Sequence, residues 1–265
     1  MWNKLNDSQQ YYTESNDNDG IPIIYIHGFP FDHTMWDGQI NILPERFRSI
    51  TYDVRGHGQS ESLTVHYNFE FFVDDLFALI DILELKNPIL CGLSMGGYIA
   101  LRANERRPNS FKALILSDTR SEGDSNEAKI KRATAIKSIE EQGAKKYAED
   151  SVKNLFWEEN LKANIPAVEK IKAIIENTST TTLCGTLMAL AARTDTTESL
   201  ENITIPTLIM VGEHDPITPP IAAESLHERI NDSELKVIKN AAHLSNLENP
   251  EQFNSCLLEF LEKIQ

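Results

Sequence analysis

The chain has 265 residues, of which 41% are hydrophobic and 25% are charged, an ordinary composition for a globular protein with a substantial core. Its formal net charge of −15 disfavours binding to nucleic acid or to anionic lipid by general electrostatics. No apolar run approaches the ~18 residues of a membrane span, and the first seven residues lack the apolar core of a signal peptide, so we expect neither.

Strand-like and helix-like segments alternate along the chain, which predicts an α/β fold with mostly parallel strands joined by helices. Several predicted strands are continuous apolar runs, as expected for strands covered by helices on both faces. The predicted strands are Gln10–Thr13, Ile21–His27, Ser49–Asp53, Ile89–Cys91, Ala113–Ser117, Thr207–Val211 and Leu235–Lys239. The predicted helices are Phe69–Leu83, Met95–Arg106, Pro219–Arg229 and Pro250–Ile264.

The interval from about Arg120 to Leu200, called the helical insertion below, breaks this alternation. It is charged and helical in pattern, with an exposed helix predicted from Asp124 to Lys145. Because open α/β sheets bind ligands at the carboxyl edge of their strands, an insertion after the strand ending at Ser117 predicts a cap over that edge. We therefore expect a core of residues 1–119 and 201–265 with a helical cap at 120–200. An unrelated small helical domain is the alternative.

Gly92-Leu93-Ser94-Met95-Gly96 lies between a predicted strand and a predicted helix, which is the context of a nucleophile elbow. The sharp turn requires small residues two positions before and after the serine, and it leaves the Ser94 hydroxyl exposed above the sheet. The following helix directs its free N–H groups toward the same place. The alternative is a glycine-rich turn whose serine only caps the helix.

A serine hydroxyl needs a base to remove its proton and an acid to orient that base. In this kind of fold the chain order is serine, acid, histidine. Asp215 follows the predicted strand Thr207–Val211, and His243 follows the last predicted strand, 28 residues later. The sequence therefore predicts a catalytic triad of Ser94, Asp215 and His243. Asp118 also follows a strand and is the rival acid.

An oxyanion formed during acyl transfer needs two donors fixed in advance. The N–H of Met95, directly after the serine, is one predicted donor. The other is the N–H of Phe29, in the loop after an early strand, where Gly28 allows a close backbone approach. We expect His27 to brace this loop and His57 to be structural, and neither to be the base.

The remaining histidines and the cysteines give no sign of a metal or redox site. The seven histidines include no His-x-His pair and no helical metal-binding pattern, so we expect no metal and no cofactor. Cys91, Cys184 and Cys256 are widely spaced and odd in number. This usage fits buried thiols in a reducing compartment and predicts a cytoplasmic protein.

With these segments assembled, the chain resembles the α/β-hydrolase superfamily over nearly its whole length. The segments that carry the resemblance are His27–Pro30, Asp53–Gly58, Gly92–Gly96, Gly212–Asp215 and the stretch around His243. Within the superfamily, His27–Trp36 and Gly212–Pro219 look like the 3-oxoadipate enol-lactonase-like branch. Epoxide hydrolases and haloalkane dehalogenases resemble the chain at His27–Pro30 but carry Asp at the elbow, so Ser94 argues against both. Peroxidase-like relatives share the serine triad, and perhydrolysis stays open.

The triad and the resemblance together imply a cofactor-independent serine hydrolase that cleaves a small carboxylic ester or lactone through an acyl-enzyme on Ser94. Hydrolysis of a carbon–carbon bond in a ring-cleavage product is an alternative that uses the same triad. A small-molecule receptor or signalling protein that retains the triad is another. We expect a small-molecule partner and a monomer or homodimer. The residues predicted to contact substrate are Trp36, Phe156, Trp157, Leu183 and Leu187.

Overall fold

The computed structural model describes residues 1–15, 19–61 and 67–264. Its strands are β1 (Trp2–Leu5), β2 (Ser8–Ser15), β3 (Ile21–Ile26), β4 (Phe47–Tyr52), β5 (Ile89–Leu93), β6 (Leu114–Ser117), β7 (Thr207–Gly212) and β8 (Ser233–Ile238). They form one sheet in the order β1-β2-β4-β3-β5-β6-β7-β8. The pairs β1–β2 and β2–β4 are antiparallel and all the others are parallel. The predicted mostly parallel sheet is confirmed.

Ten helices occur in the described residues. They are α1 (Asp37–Ile40), α2 (Phe69–Ile82), α3 (Met95–Arg106), α4 (Asn126–Leu155), α5 (Glu158–Lys162), α6 (Pro166–Asn177), α7 (Thr180–Ala191), α8 (Pro220–Arg229), α9 (Ser245–Glu248) and α10 (Pro250–Glu262). Short 3₁₀ turns lie at His33–Trp36 and Thr197–Asn202. In the part of the chain that the structure describes, no helix is both long enough and apolar enough to cross a membrane.

Helices cover both faces of the sheet because alternate residues of its central strands point to opposite sides. On β3, Ile24 and Ile26 pack in a core with α2, α3 and α8, whereas Ile23 and Tyr25 pack in a second core with α10. Strands β5, β6 and β7 are buried along their whole length, which explains their continuous apolar sequences. Their carboxyl ends therefore meet at one edge, where the loops are free to carry functional side chains.

Between β6 and β7 the chain forms α4 to α7 and no strand. Helix α4 is longer than the predicted exposed helix, and it bends at Gly143, which has φ 81° and ψ 174°. Its buried side chains Val152 and Leu155 join the second core, as does Ile171 of α6. The insertion is therefore packed onto the core through its own apolar residues.

Candidate active site

Ser94 lies at the turn between β5 and α3, which begins at Met95. Its φ of 53° and ψ of −111° are unusual for a residue with a side chain. A Cβ atom at Gly92 would overlap the backbone of Gly96, and one at Gly96 would overlap the carbonyl of Ile26. The two glycines thus allow helix α3 to pack directly against the ends of β5 and β3. The Ser94 N–H donates to the Ser117 carbonyl at 2.9 Å, which ties the turn to β6.

Three side chains from three loops form one hydrogen-bonded chain at this edge. The Ser94 Oγ lies 2.9 Å from the His243 Nε2, and the His243 Nδ1 lies 2.8 Å from the Asp215 Oδ2. An imidazole with its proton on Nδ1 donates to Asp215 and leaves Nε2 free to accept the serine proton. The structure therefore brings together the residues predicted as nucleophile, base and acid, in hydrogen-bonding order.

Asp215 is fixed from its own loop. Its Oδ1 accepts hydrogen bonds from the N–H groups of Ile217 and Thr218, at 2.8 and 3.1 Å, and its Oδ2 accepts from the Thr218 hydroxyl at 2.6 Å. Burial alone would raise the pKa of this carboxyl, but His243 and these donors hold it below its ordinary value. Asp215 is therefore ionised when it accepts from the imidazole.

The Asp118 carboxylate hydrogen-bonds to groups other than the imidazole. Asp118 is fully buried, with a positive φ of 45°, and its Oδ1 accepts from the Gly212 N–H at 2.8 Å. Its Oδ2 lies 2.5 Å from the Ser245 hydroxyl, directly after the His243 segment. Burial and the neighbouring Asp215 raise the pKa of the Asp118 carboxyl well above its ordinary value. Asp118 joins the end of β7 to the loop that carries His243, and Asp215 is the carboxylate that accepts from the imidazole.

The Phe29 loop passes beside the elbow. A Cβ at Gly28 would lie 3.1 Å from Leu93 Cδ2 and 3.2 Å from the Leu93 carbonyl oxygen, so the two backbones are close. Met95 is the first residue of α3, where backbone N–H groups lack a helical acceptor. Both predicted oxyanion donors thus lie on segments that meet beside Ser94. Their role as donors stays a prediction.

Two buried histidines shape the loops behind this position. The His27 Nδ1–H donates to the Gly28 carbonyl at 2.8 Å, and its Nε2 accepts from the Val54 N–H at 2.9 Å. The His57 Nδ1 faces the carbonyls of Val54 and Arg55, and burial lowers the pKa of His57 to about 3. Both rings are neutral braces between loops, as expected from the sequence.

The predicted substrate contacts are divided among three places. Leu183 and Leu187 of α7 are buried with Ile139 of α4, and Phe29 packs against this cluster. Phe156 is buried in the second core, and the Trp157 ring stacks on His214 with centroids 4.9 Å apart. Their contact with substrate stays a prediction.

Trp36 requires a correction. Its side chain is fully buried in the second core and packs against Tyr25 of β3 and Phe253 of α10. It follows the Phe29 loop in sequence, but the 3₁₀ turn at His33–Trp36 directs the ring into the layer between the sheet and α10. We therefore assign it to the core and not to substrate binding.

Sequence reasoning missed the residues that hold the loops in place. Besides Thr218, the principal one is Glu248, whose Oε1 accepts from the Ala242 N–H and whose Oε2 accepts from the Trp157 N–H, both at 2.7 Å. Glu248 thereby links the His243 loop to the junction between α4 and α5 within the helical insertion. A hydroxyl residue three positions after an Asp is a recognisable turn pattern, so Thr218 had a sequence signal. Glu248 had none.

No group of three or more His, Cys, Asp or Glu side chains is arranged to hold a metal ion within residues 1–15, 19–61 and 67–264. The edge brings together a serine hydroxyl, an imidazole and an ionised carboxylate in hydrogen-bonding order, beside two segments that carry backbone N–H groups. Groups of these types in this order can carry out acyl transfer.

Known proteins resemble this chain over most of its length. The family model for the alpha/beta hydrolase fold matches residues 21–250, and the chain belongs to this family. It is 29% identical over 243 residues to 3-oxoadipate enol-lactonase 1 of Acinetobacter baylyi, covering 92% of this chain and 89% of that protein. It is 31% identical to a putative non-heme chloroperoxidase of Synechocystis, covering 92% of each chain.

Among solved structures, a thermophilic esterase from Thermogutta terrifontis with malate bound superposes with a TM-score of 0.91. The two are 32% identical, and the alignment covers 97% of this chain and 94% of the esterase. The predicted α/β-hydrolase fold and the predicted resemblance to the enol-lactonase-like branch are confirmed. This chain is a hydrolase of that fold family.

Proposed function

We propose that this chain is a serine hydrolase that cleaves a small carboxylic ester or lactone through an acyl-enzyme on Ser94. The observation that carries the proposal is the hydrogen-bonded chain from Ser94 through His243 to Asp215. The similar lactonase and esterase support the same reaction class.

In the first half of the reaction, the His243 Nε2 takes the proton of Ser94 while the Ser94 Oγ attacks the carbonyl carbon. The N–H groups of Phe29 and Met95 stabilise the oxyanion, and one such donor typically contributes 10²–10³ in kcat. The protonated imidazole, stabilised by Asp215, then gives its proton to the leaving alkoxide. An ester releases an alcohol at this point, whereas a lactone keeps its hydroxyl attached to the acyl group.

In the second half, His243 takes a proton from water, and the resulting hydroxide attacks the acyl-enzyme. Collapse of the second oxyanion breaks the bond to Ser94 Oγ, and the imidazole returns the proton to the serine. The residues therefore end in the state in which they began, and water is the only other reactant.

We also propose that residues 120–200 act as a cap, because Leu183 and Leu187 of this segment form a cluster against which Phe29 packs.

A covalent label tests the proposed nucleophile directly. We expect phenylmethanesulfonyl fluoride to inactivate the protein in a 1:1 ratio, and mass spectrometry of peptides to place the sulfonyl group on Ser94. The His243→Ala variant should label far more slowly because the serine then lacks its base. Labelling of a different serine, or equal labelling of Ser94→Ala, would contradict the proposal.

A further inference from the structure

We infer that the acyl part of the substrate is apolar and uncharged, and that esters carrying a carboxylate on the acyl chain are poor substrates. This inference rests on the proposed function, since it concerns the group transferred to Ser94. It also differs from what similarity to a 3-oxoadipate enol-lactonase would suggest, because a 3-oxoadipate lactone retains a carboxylate, whereas the arginines on α4 and just after α7 are already paired with Asp124.

An apolar cluster packs against Phe29. Ile139, Leu183 and Leu187 form a buried cluster, and the partly buried side chains packed against it are Phe29, Ala135, Ile136, Ala144, Tyr147 and Cys184. All of these are apolar apart from a phenol and a thiol. Phe29 also carries the N–H that we propose as an oxyanion donor, so this residue connects the cluster to the proposed reaction centre. We call the cluster the Phe29 wall.

Two arginines near the Phe29 wall already have partners. Arg132 of α4 and Arg193, just after α7, both bind the carboxylate of Asp124. Arg193 also donates to the carbonyls of Leu190 and Glu122, at 3.1 and 2.7 Å. An incoming carboxylate would have to compete with Asp124, which is itself nearly buried and bound from two sides.

A third arginine, Arg120, lies near His243. Arg120 lies close enough to His243 to lower the pKa of the imidazole, although burial and Asp215 have larger effects. Its Nη2 donates to the Ile217 carbonyl at 2.6 Å, so its guanidinium is held at the Asp215 loop. Arg120 is the alternative anchor for a substrate anion, and the variant Arg120→Gln is therefore part of the test.

The physical consequence is a penalty on charge in the acyl group. A carboxylate moved from water to an apolar wall without a cation loses its hydration and gains nothing comparable. A neutral alkyl chain of the same length gains from burial at the same place. The net charge of −15 adds a long-range repulsion of anions, which salt screens, whereas the local penalty is insensitive to salt.

Three phenyl esters of matched length provide the test. Phenyl hexanoate has a methyl end, monophenyl adipate has a carboxylate at the same position, and phenyl methyl adipate has a neutral polar end. We expect kcat/KM for phenol release to be at least about 100-fold higher for phenyl hexanoate than for monophenyl adipate, in 0.5 M NaCl as well as at low salt. Phenyl methyl adipate should resemble phenyl hexanoate, which separates charge from size.

Matched variants on one helix locate the effect. Leu187→Lys places a cation in the Phe29 wall. It should lower the ratio of kcat/KM for phenyl hexanoate to kcat/KM for monophenyl adipate at least tenfold. The neighbouring Met188 is 61% exposed, so Met188→Lys should leave the ratio unchanged. The wild-type ratio stands as a test by itself if Leu187→Lys does not fold.

Several results would overturn the inference. Equal rates for hexanoate and adipate would do so, as would a ratio that disappears in 0.5 M NaCl. A preference for adipate that is lost in Arg120→Gln would assign anion binding to Arg120 instead. Hydrolysis of none of the three esters, with no difference between wild type and Ser94→Ala, would reject the proposed function and the inference with it.

Discussion

His243 is subject to opposing effects on its protonation. Burial lowers the pKa of the imidazole, but the Asp215 carboxylate, with a smaller contribution from Asp118, raises it above the ordinary value of 6.5. The proposed mechanism needs the neutral imidazole, because only that form accepts the proton of Ser94. The group that strengthens the base therefore also restricts activity at low pH.

A pH profile measures this effect. We expect kcat/KM for a p-nitrophenyl ester to fall as the pH drops through a midpoint above 6.5, the ordinary pKa of histidine. Arg120→Gln removes a charge that lowers the pKa of His243, so its midpoint should move to higher pH. A wild-type midpoint below 6.5 would disagree with the assigned environment of His243.

Asp118 and Asp215 hydrogen-bond to different groups beside the site. Asp215→Asn removes the acceptor of the Nδ1 proton, favours the wrong tautomer and should lower kcat about 10⁴-fold. Asp118→Asn still offers an oxygen to the Gly212 N–H and an amide to Ser245, so it should keep kcat within about tenfold of wild type. Steady-state kinetics of both variants, with circular dichroism as the folding control, make the comparison. Inactive Asp118→Asn beside active Asp215→Asn would reverse the acid assignment.

At the scale of elements, the sharp turn at Ser94 is possible because the backbone of α3 lies directly against β5 and β3, with no side chain between them. Gly92 and Gly96 provide this close approach, and Gly212 does the same where the end of β7 meets the Ala241 and Ala242 carbonyls. The triad distances thus depend on contacts between backbones, and added atoms at these positions have no space.

A pair of glycine substitutions tests this packing. Gly92→Ala would place a methyl group on the backbone of Gly96 and should cost about 3 kcal/mol or more in the free energy of unfolding. Gly38 lies exposed in α1 with nothing within 4 Å of the added Cβ, so Gly38→Ala should change it by less than about 0.5 kcal/mol. Urea titrations followed by tryptophan fluorescence give both values. Equal stability of the two variants would contradict the packing argument.

The elements differ in how well their sequences reveal them. Strands β3, β5 and β7 are predicted to within two residues at each end because their apolar runs are buried. Strand β1 escapes prediction because Trp2 is 56% exposed and only Leu5 is buried, which leaves no apolar pattern. The separate helices after α4 also escape, since their apolar residues face neighbours that are distant in sequence.

The same limit applies to the site. Strand ends and chain order are enough to bring Ser94, Asp215 and His243 together, because parallel strands share one carboxyl edge. The bonds of Asp118 and Glu248 depend on loops that meet only in three dimensions. Trp36 was wrongly assigned for the same reason: proximity to Phe29 in sequence does not say which face of the sheet a ring covers.

At the scale of the whole molecule, the helical insertion is tied to the core where it leaves and where it returns. The Thr196 N–H donates to the Ser121 carbonyl at 3.1 Å, and the Gly123 N–H donates to the Asp195 side chain at 3.0 Å. Asp124 adds its ion pairs with Arg132 and Arg193. The two ends of the insertion are therefore bonded to each other, and we call this region the junction of the insertion.

Asp124 is expected to stabilise this junction. Asp124→Asn leaves two guanidinium groups without their counter-ion, one of them buried, and should reduce the free energy of unfolding by about 3 kcal/mol. The control is Glu141→Gln, which breaks an exposed pair with Lys137 and should cost less than about 0.5 kcal/mol. Urea denaturation measures both. A similar small effect for the two variants would mean that the stability of the junction does not depend on Asp124.

The central claim is that Ser94 is the nucleophile of an ester hydrolase. The most direct measurement is kcat for p-nitrophenyl esters from acetate to octanoate, with wild type, Ser94→Ala and the exposed control Ser255→Ala in parallel. We expect Ser94→Ala to lose on the order of 10⁴–10⁶ in kcat while Ser255→Ala keeps wild-type turnover. Turnover by folded Ser94→Ala at the wild-type rate would contradict the account.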